Sequence, residues 1–150
     1  MKQKAFYLSL ALTFALDRII KIAWGNSEFT LIPHVLKVHG TQNTGMAFGW
    51  LAGNPLLLAG ITALVLIGLF LYLRKQKLRF FEALGLGLLI GGALGNLFDR
   101  LVYGYVIDML EPLFMNLFIF NIADAGITVG AGILMICLLF GKEDTKDGAT

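Results

Sequence analysis

Four stretches of this chain, residues 5–24, 56–73, 81–101 and 117–140, are mostly apolar over the roughly 20 residues a helix needs to cross a bilayer core of about 30 Å. In hydrocarbon every backbone N–H and C=O must be satisfied internally, so segments of that length read as membrane helices. The expected fold is an all-α membrane protein of one domain over 1–150. It has four transmembrane helices, outer loops at 25–55 and 102–116, and a tail at 141–150. Composition agrees: 57% of residues are hydrophobic and 15% charged, against about 25% charged in soluble domains. A soluble enzyme and a disordered chain are both excluded. A net charge of +2 is too small for a nucleic-acid-binding surface. The single cysteine, Cys137, rules out disulfides and cysteine-based metal sites within one chain.

Lys2 and Lys4 ahead of the first apolar run look like the start of a cleavable signal peptide. No A-x-A-like site follows, and the run continues through Asp17-Arg18-Ile19-Ile20-Lys21, so a retained helix is expected. Basic residues gather at Lys2 and Lys4, in Arg74-Lys75-Gln76-Lys77-Leu78-Arg79, and at Lys142 and Lys146. With four spans these segments share one side, which the positive-inside rule makes cytoplasmic, with both termini on it. The loops 25–55 and 102–116 then face outward, with Lys37 their only basic residue. Residues 29–32 and 34–39 are β-branched and alternating, which predicts short strands against the membrane surface. Residues 109–118, broken at Glu111-Pro112, predict a short interfacial helix.

A charged side chain at the bilayer centre costs at least ~2.5–3.5 kcal/mol, so ionisable residues inside spans are candidates for function. Here they are Asp17, Arg18 and Lys21 in the first span, Asp99 and Arg100 ending the third, Asp108 just beyond it, and Asp124 opening the fourth. The topology brings all of them, with the amides Asn43, Asn96 and Asn121, to the outer boundary. Glu82, at the inner end of the third span, reads as an interface residue. Asp17 and Lys21, four apart, share a helix face and can pair. Asp99 and Arg100 form a second candidate pair, and either pair can be structural or can position a substrate. Gly92, Asn96, Asp99 and Arg100 fall on one side of the third span, and Gly87, Gly91 and Gly95 make a small-residue stripe suited to close helix contact. Asn121 and Asp124 share the first turns of the fourth helix, at the positive end of its dipole. Asp108 and Asp124 have no basic neighbour within four residues, and unpaired carboxylates at a dry boundary suit proton chemistry. On spacing alone, Asp108 is equally well an ordinary loop carboxylate.

Other chemistries lack their residues. The two serines, Ser9 and Ser27, lie in no G-x-S-x-G turn. His34 and His39 lack the H-E-x-x-H pattern of zinc proteases and read as solvated or headgroup-facing side chains. Dinucleotide and P-loop patterns are absent. Carboxylate chemistry remains: two aspartates sharing a proton can activate water and protonate a carbonyl with no metal or cofactor. A proton-coupled transporter is the rival reading, but it needs polar residues through the whole membrane depth, and the second span offers only Thr62. An assembly subunit has no need of a carboxylate cluster.

Five ordered motifs carry a resemblance over nearly the whole chain. They are Asp17-Arg18-Ile19-Ile20-Lys21, Asn43-Thr44-Gly45-Met46-Ala47-Phe48, the run from Gly91 to Arg100, Gly104-Tyr105-Val106-Ile107-Asp108 and Phe120-Asn121-Ile122-Ala123-Asp124. In these the chain resembles the lipoprotein signal peptidases (signal peptidase II). The resemblance implies a multi-pass aspartyl protease of the bacterial inner membrane with its site toward the outer face. It would cleave prolipoprotein signal peptides before the diacylglyceryl cysteine. It implies Asp108 and Asp124 as the catalytic pair. Asp17, Lys21, Asn43, Gly45, Asn96, Arg100, Asn121 and Ala123 would line or brace the site, and the outer loop would form a small sheet cradling the substrate. Membrane lipids and globomycin-type inhibitors are implied partners, with no cofactor, no metal and a monomeric chain. Three positions depart from the family pattern. Arg18 stands where Gln is usual, and an extra cation there is expected to point to headgroups or solvent. Met46 and Met109 replace the more usual Ala and Phe, which bears on pocket lining and substrate preference.

Overall fold

The computed structural model describes residues 2–45, 53–114 and 118–140. Its elements run α1 (Lys2–Trp24), β1 (Glu28–Ile32), β2 (Leu36–Asn43), α2 (Pro55–Leu73), α3 (Phe80–Val102), β3 (Val106–Pro112) and α4 (Ile122–Phe140). The chain is mostly helical. Three of its helices, α2, α3 and α4, are long and apolar enough to cross a membrane.

α1 is built inside-out relative to a helix of a soluble protein. Its buried residues are Ser9, Thr13, Asp17 and Lys21, one every fourth position, while Leu8, Leu12, Leu16, Ile19 and Ile22 are exposed. That polarity fits a helix whose surroundings are lipid and whose partners are other helices. α2 is apolar all round, with Leu56, Leu64, Val65, Ile67 and Phe70 exposed. Its polar Thr62 is satisfied by its own helix, the hydroxyl donating to Leu58 O at 2.8 Å.

α3 is the central helix, packed on α1, α4 and α2, and its small residues allow the close approach. A Cβ on Gly91 would lie 2.6 Å from the backbone oxygen of Leu10, and one on Gly87 would meet Ser9 and Phe6 of α1. Gly92 and Gly85 meet the α4 backbone at Ala123 and Gly130 in the same way. The stripe expected at Gly87, Gly91 and Gly95 is thus the α1 contact, Gly95 lying against the Asp17 carboxylate. Helix propensity alone would make Gly→Ala stabilising by up to about 1 kcal/mol. Gly91→Ala is expected to do the opposite, destabilising by roughly 1–3 kcal/mol as two backbones are forced apart. Gly60→Ala on α2, where an added Cβ meets nothing, should be neutral or stabilising. Thermal unfolding of both variants in detergent checks the contrast.

The strands form one antiparallel sheet, ordered β1-β2-β3. β2 pairs with β3 from Leu36↔Pro112 to Asn43↔Val106, with an irregularity between Val38 and Thr41. Val38, Met109 and Leu110 form a buried core, joined by Ile20 and Trp24 from the end of α1 and by Phe120 and Ile122 at the start of α4. This core seats the sheet on the same end of the bundle as the charged residues. Gly104, at φ 78°, makes the sharp turn from α3 into β3 that an L side chain would strain.

Three expectations are corrected. The first part of the interfacial helix expected at 109–118, residues 109–112, is strand, because Val106–Pro112 satisfies its backbone on β2 and on Phe120. The fourth helix starts at Ile122 rather than 117: Phe120 is held extended by hydrogen bonds with Met109 and Leu110, and the helix is capped only at Asn121. The second strand starts at Leu36 rather than His34, which lies in the turn at φ 61° directly after Pro33. Met46 and the tail lysines lie outside the described residues.

Candidate active site

The site begins with a buried ionic base between α1 and α3. Asp17 and Asp99 are fully buried. Lys21 reaches both, at 3.1 Å and 2.6 Å, and Arg18 bridges them as well, Nη2 to Asp17 at 2.6 Å and Nη1 to Asp99 at 2.5 Å. The remaining carboxylate lone pairs accept backbone donors from two other elements. Asp17 takes Ala123 N at 3.0 Å, an N–H of the first turn of α4 with no partner inside its own helix. Asp99 takes Ile107 N of β3 at 3.2 Å. One neutral quartet therefore ties α1, α3, α4 and β3 together, which is how a buried ion cluster is tolerated.

Above this base sit two amides. Asn96 Oδ1 accepts from Lys21 Nζ at 3.0 Å and from Asn121 Nδ2 at 3.1 Å. Its Nδ2 donates to Asp124 Oδ1 at 2.7 Å. Asn121 caps α4: its Oδ1 accepts from Asp124 N at 2.9 Å, and its own backbone N donates to Asp124 Oδ2 at 3.2 Å. This reciprocal arrangement is a capping box with Asp at the third helical position. The same Asn121 side chain donates to Asp108 Oδ1 at 2.7 Å. Asp108 and Asp124 thus converge on one residue. Asn43, ending β2, donates to the other Asp108 oxygen at 2.9 Å and accepts from Gly45 N at 2.9 Å. Arg100 latches the same segment, donating to Gly45 O at 3.0 Å.

Neither Asp108 nor Asp124 has an ion-pair partner among the described residues, as their spacing from basic residues suggested. Burial pushes Asp108 up to about 6; the charge of Asp124 adds to the rise, while the Asn43 and Asn121 donors and the Lys21 charge oppose it. The local charges are Asp17, Asp99, Asp108 and Asp124 against Arg18, Lys21 and Arg100, one carboxylate more than cations. A single proton shared by Asp108 and Asp124 closes that balance. No group of three or more His, Cys, Asp or Glu side chains among the described residues is arranged to hold a metal.

All the residues singled out from the sequence, namely Asp17, Lys21, Asn43, Gly45, Asn96, Arg100, Asn121 and Ala123 with the two aspartates, lie in this network. Two pairings differ from expectation. Asp99 pairs with Lys21 and Arg18 and not with Arg100, whose guanidinium is turned instead to the carbonyls of Asn96 and Gly45. Arg18 turns inward instead of toward headgroups: two buried carboxylates attract it, and its guanidinium lies 4.9 Å from the Phe98 ring. The sequence reading undervalued Asp99; its position three residues after Asn96, on the face opposite Asp17, was the available signal.

Comparison with known proteins identifies the family. The family model described as signal peptidase (SPase) II matches residues 9–140. The lipoprotein signal peptidase of Streptococcus pyogenes serotype M6 is 39% identical, covering 98% of this chain and 100% of that one. That of Streptococcus pneumoniae is 40% identical over 96% of this chain and 97% of its own. A solved bacterial membrane enzyme, determined by the in meso method at 2.3 Å, superposes with a TM-score of 0.82 and 30% identity over 95% of this chain and 92% of that one. With motifs, geometry and relatives in agreement over nearly its full length, the chain belongs to the signal peptidase II family of membrane proteases.

Proposed function

We propose that the protein is an intramembrane aspartyl endopeptidase that removes the signal peptide of prolipoproteins immediately before the diacylglyceryl cysteine, with Asp108 and Asp124 as the catalytic pair. The observation that carries this is the meeting on Asn121 of two carboxylates that form no ion pair among the described residues, in a site whose charges balance with one proton between them. The ionised aspartate takes a proton from water as the water oxygen attacks the scissile carbonyl. The protonated one donates to the carbonyl oxygen, and collapse of the tetrahedral species passes a proton to the departing amide nitrogen. The pair titrates as a unit, so acid and base roles belong to the pair. Asn43, Asn96 and Asn121 hold the carboxylate oxygens, Lys21 and Asp17 brace the amides and the α4 N-terminus, and Arg100 with Gly45 holds the segment entering the site.

The membrane arrangement follows from the same residues. α1, with 23 residues, spans roughly 35 Å at 1.5 Å per residue, and of its charged groups Asp17, Arg18 and Lys21 are satisfied by α3, by α4 and by one another. It serves as a fourth crossing helix in one domain, acting as a monomer. The basic segment Arg74–Arg79 and both termini face the cytoplasm of a bacterial inner membrane, and the site opens at the outer leaflet. There the substrate's acyl chains stay in lipid while its peptide crosses the sheet.

The purified protein in lipid vesicles is expected to cleave a diacylglyceryl prolipoprotein and to leave its unmodified precursor intact, with globomycin blocking turnover. Gel mobility and mass spectrometry of the new N-terminal cysteine read the result. Equal cleavage of both precursors would overturn the assignment of the substrate.

A further inference from the structure

We infer that Arg18 is a positioning residue that sets the pH range of the peptidase site, by neutralising the buried carboxylate base on which the catalytic pair rests. This builds on the assignment of Asp108 and Asp124 as that pair. The base holds two fully buried carboxylates, Asp17 and Asp99, and α1 supplies two cations to them, Lys21 and Arg18. With Lys21 alone the base would carry a net negative charge. That charge would sit one amide away from the pair, since Lys21 binds Asn96 and Asn96 binds Asp124.

The geometry suits Arg18 to this task. Its two terminal nitrogens reach one carboxylate each, and Nη2 also donates to Gly95 O at 3.3 Å. Among the described residues its Nε is buried without a partner, so the side chain is held through its two terminal nitrogens and by the faces of Phe98 and Phe14. The planar fork gives one nitrogen to each carboxylate, with its charge delocalised between them. Gln, the more usual residue here in the family that the motifs point to, would bring hydrogen bonds and no charge.

The groups facing Asp108 are Asn43 from β2, Asn121 and Asp124 at the head of α4, Lys21 from α1 and Arg100 from α3. Removing a positive charge behind this set favours the protonated form of Asp108. Both limbs of the pH profile of kcat/KM should then move to higher pH.

The test compares R18Q, R18K and R18Q/D99N with the wild type, on a diacylglyceryl prolipoprotein in vesicles across pH 5–9. R18Q is expected to stay active, with limbs shifted upward by on the order of half a pH unit or more. R18K, which keeps the charge, and R18Q/D99N, which removes one carboxylate along with the cation, should keep wild-type limbs. A structural brace alone would lower Tm in R18Q and leave the limbs in place, and that result overturns the proposal. If R18Q does not accumulate as folded protein, a shifted profile in R18K or in R18Q/D99N overturns it as well. Failure here leaves the assignment of the pair intact, because that assignment rests on loss of turnover in Asp108 and Asp124 variants.

Discussion

Asp108→Asn and Asp124→Asn are each expected to lower kcat for prolipoprotein cleavage by about 10²–10⁴-fold, the range that a positioned general acid or base supplies. Asn keeps the shape of each side chain and can still accept from Asn121 or Asn96, but it can neither take a proton from water nor deliver one. Substrate binding should change little, so single-turnover assays with saturating substrate will show the loss in the chemical step. Turnover within tenfold of wild type in either variant would remove that residue from the catalytic pair. Stability gives an independent reading. Asp108 is raised from 3.8 to about 6 in the folded protein, so between those values the folded state holds a proton that the unfolded chain has lost. Stability therefore falls as pH rises through that window, by on the order of 3 kcal/mol at 1.36 kcal/mol per unit. D108N should lack that slope. Its melting temperature should be nearly flat from pH 4 to 6 where that of the wild type declines, in scans that also confirm a folded, inactive variant.

Much of this site was legible because helices impose fixed spacing. Asp17 and Lys21 had to share a face, Asn96 and Asp99 had to lie one turn apart, and Gly87, Gly91 and Gly95 had to form a seam. The structure places these residues together on the α1–α3 contact. Two kinds of information were not local. Arg18 follows Asp17 and projects away from it along the helix, yet its long stem lets the guanidinium return to the buried face once Asp99 is there to receive it. No periodicity within α1 encodes that. The interfacial helix expected at 109–118 failed for a related reason. Nothing local to residues 109–112 shows the β2 partner, and pairing with it makes this part strand. The late start of α4 is the same effect, since Phe120 is held extended by Leu110 and leaves Asn121 as the first residue able to cap a helix.

Lys21→Met should produce the largest loss of stability among single substitutions in this site, about 3–5 kcal/mol, the penalty for removing one partner of a buried ion pair. The ammonium donates to Asp17, Asp99 and Asn96 at 3.1, 2.6 and 3.0 Å. Met fills the same volume and satisfies none of them. Arg18 alone would then face two buried carboxylates. Asp99→Leu in the same chain removes the excess charge and leaves the Asp17–Arg18 pair, so K21M/D99L should recover much of the lost Tm, as apolar replacement of buried ion pairs often does. Activity should not return with it. Asn96 still lacks the donor that fixes its amide, and that amide orients Asp124, so kcat should stay at least tenfold below wild type while KM is little changed. A double variant that recovered both would reduce Lys21 to a structural ion. Recovery of stability without rate is the result expected if the charges at the base of the bundle serve the two aspartates above them, and thermal scans paired with cleavage kinetics on the same preparations measure both.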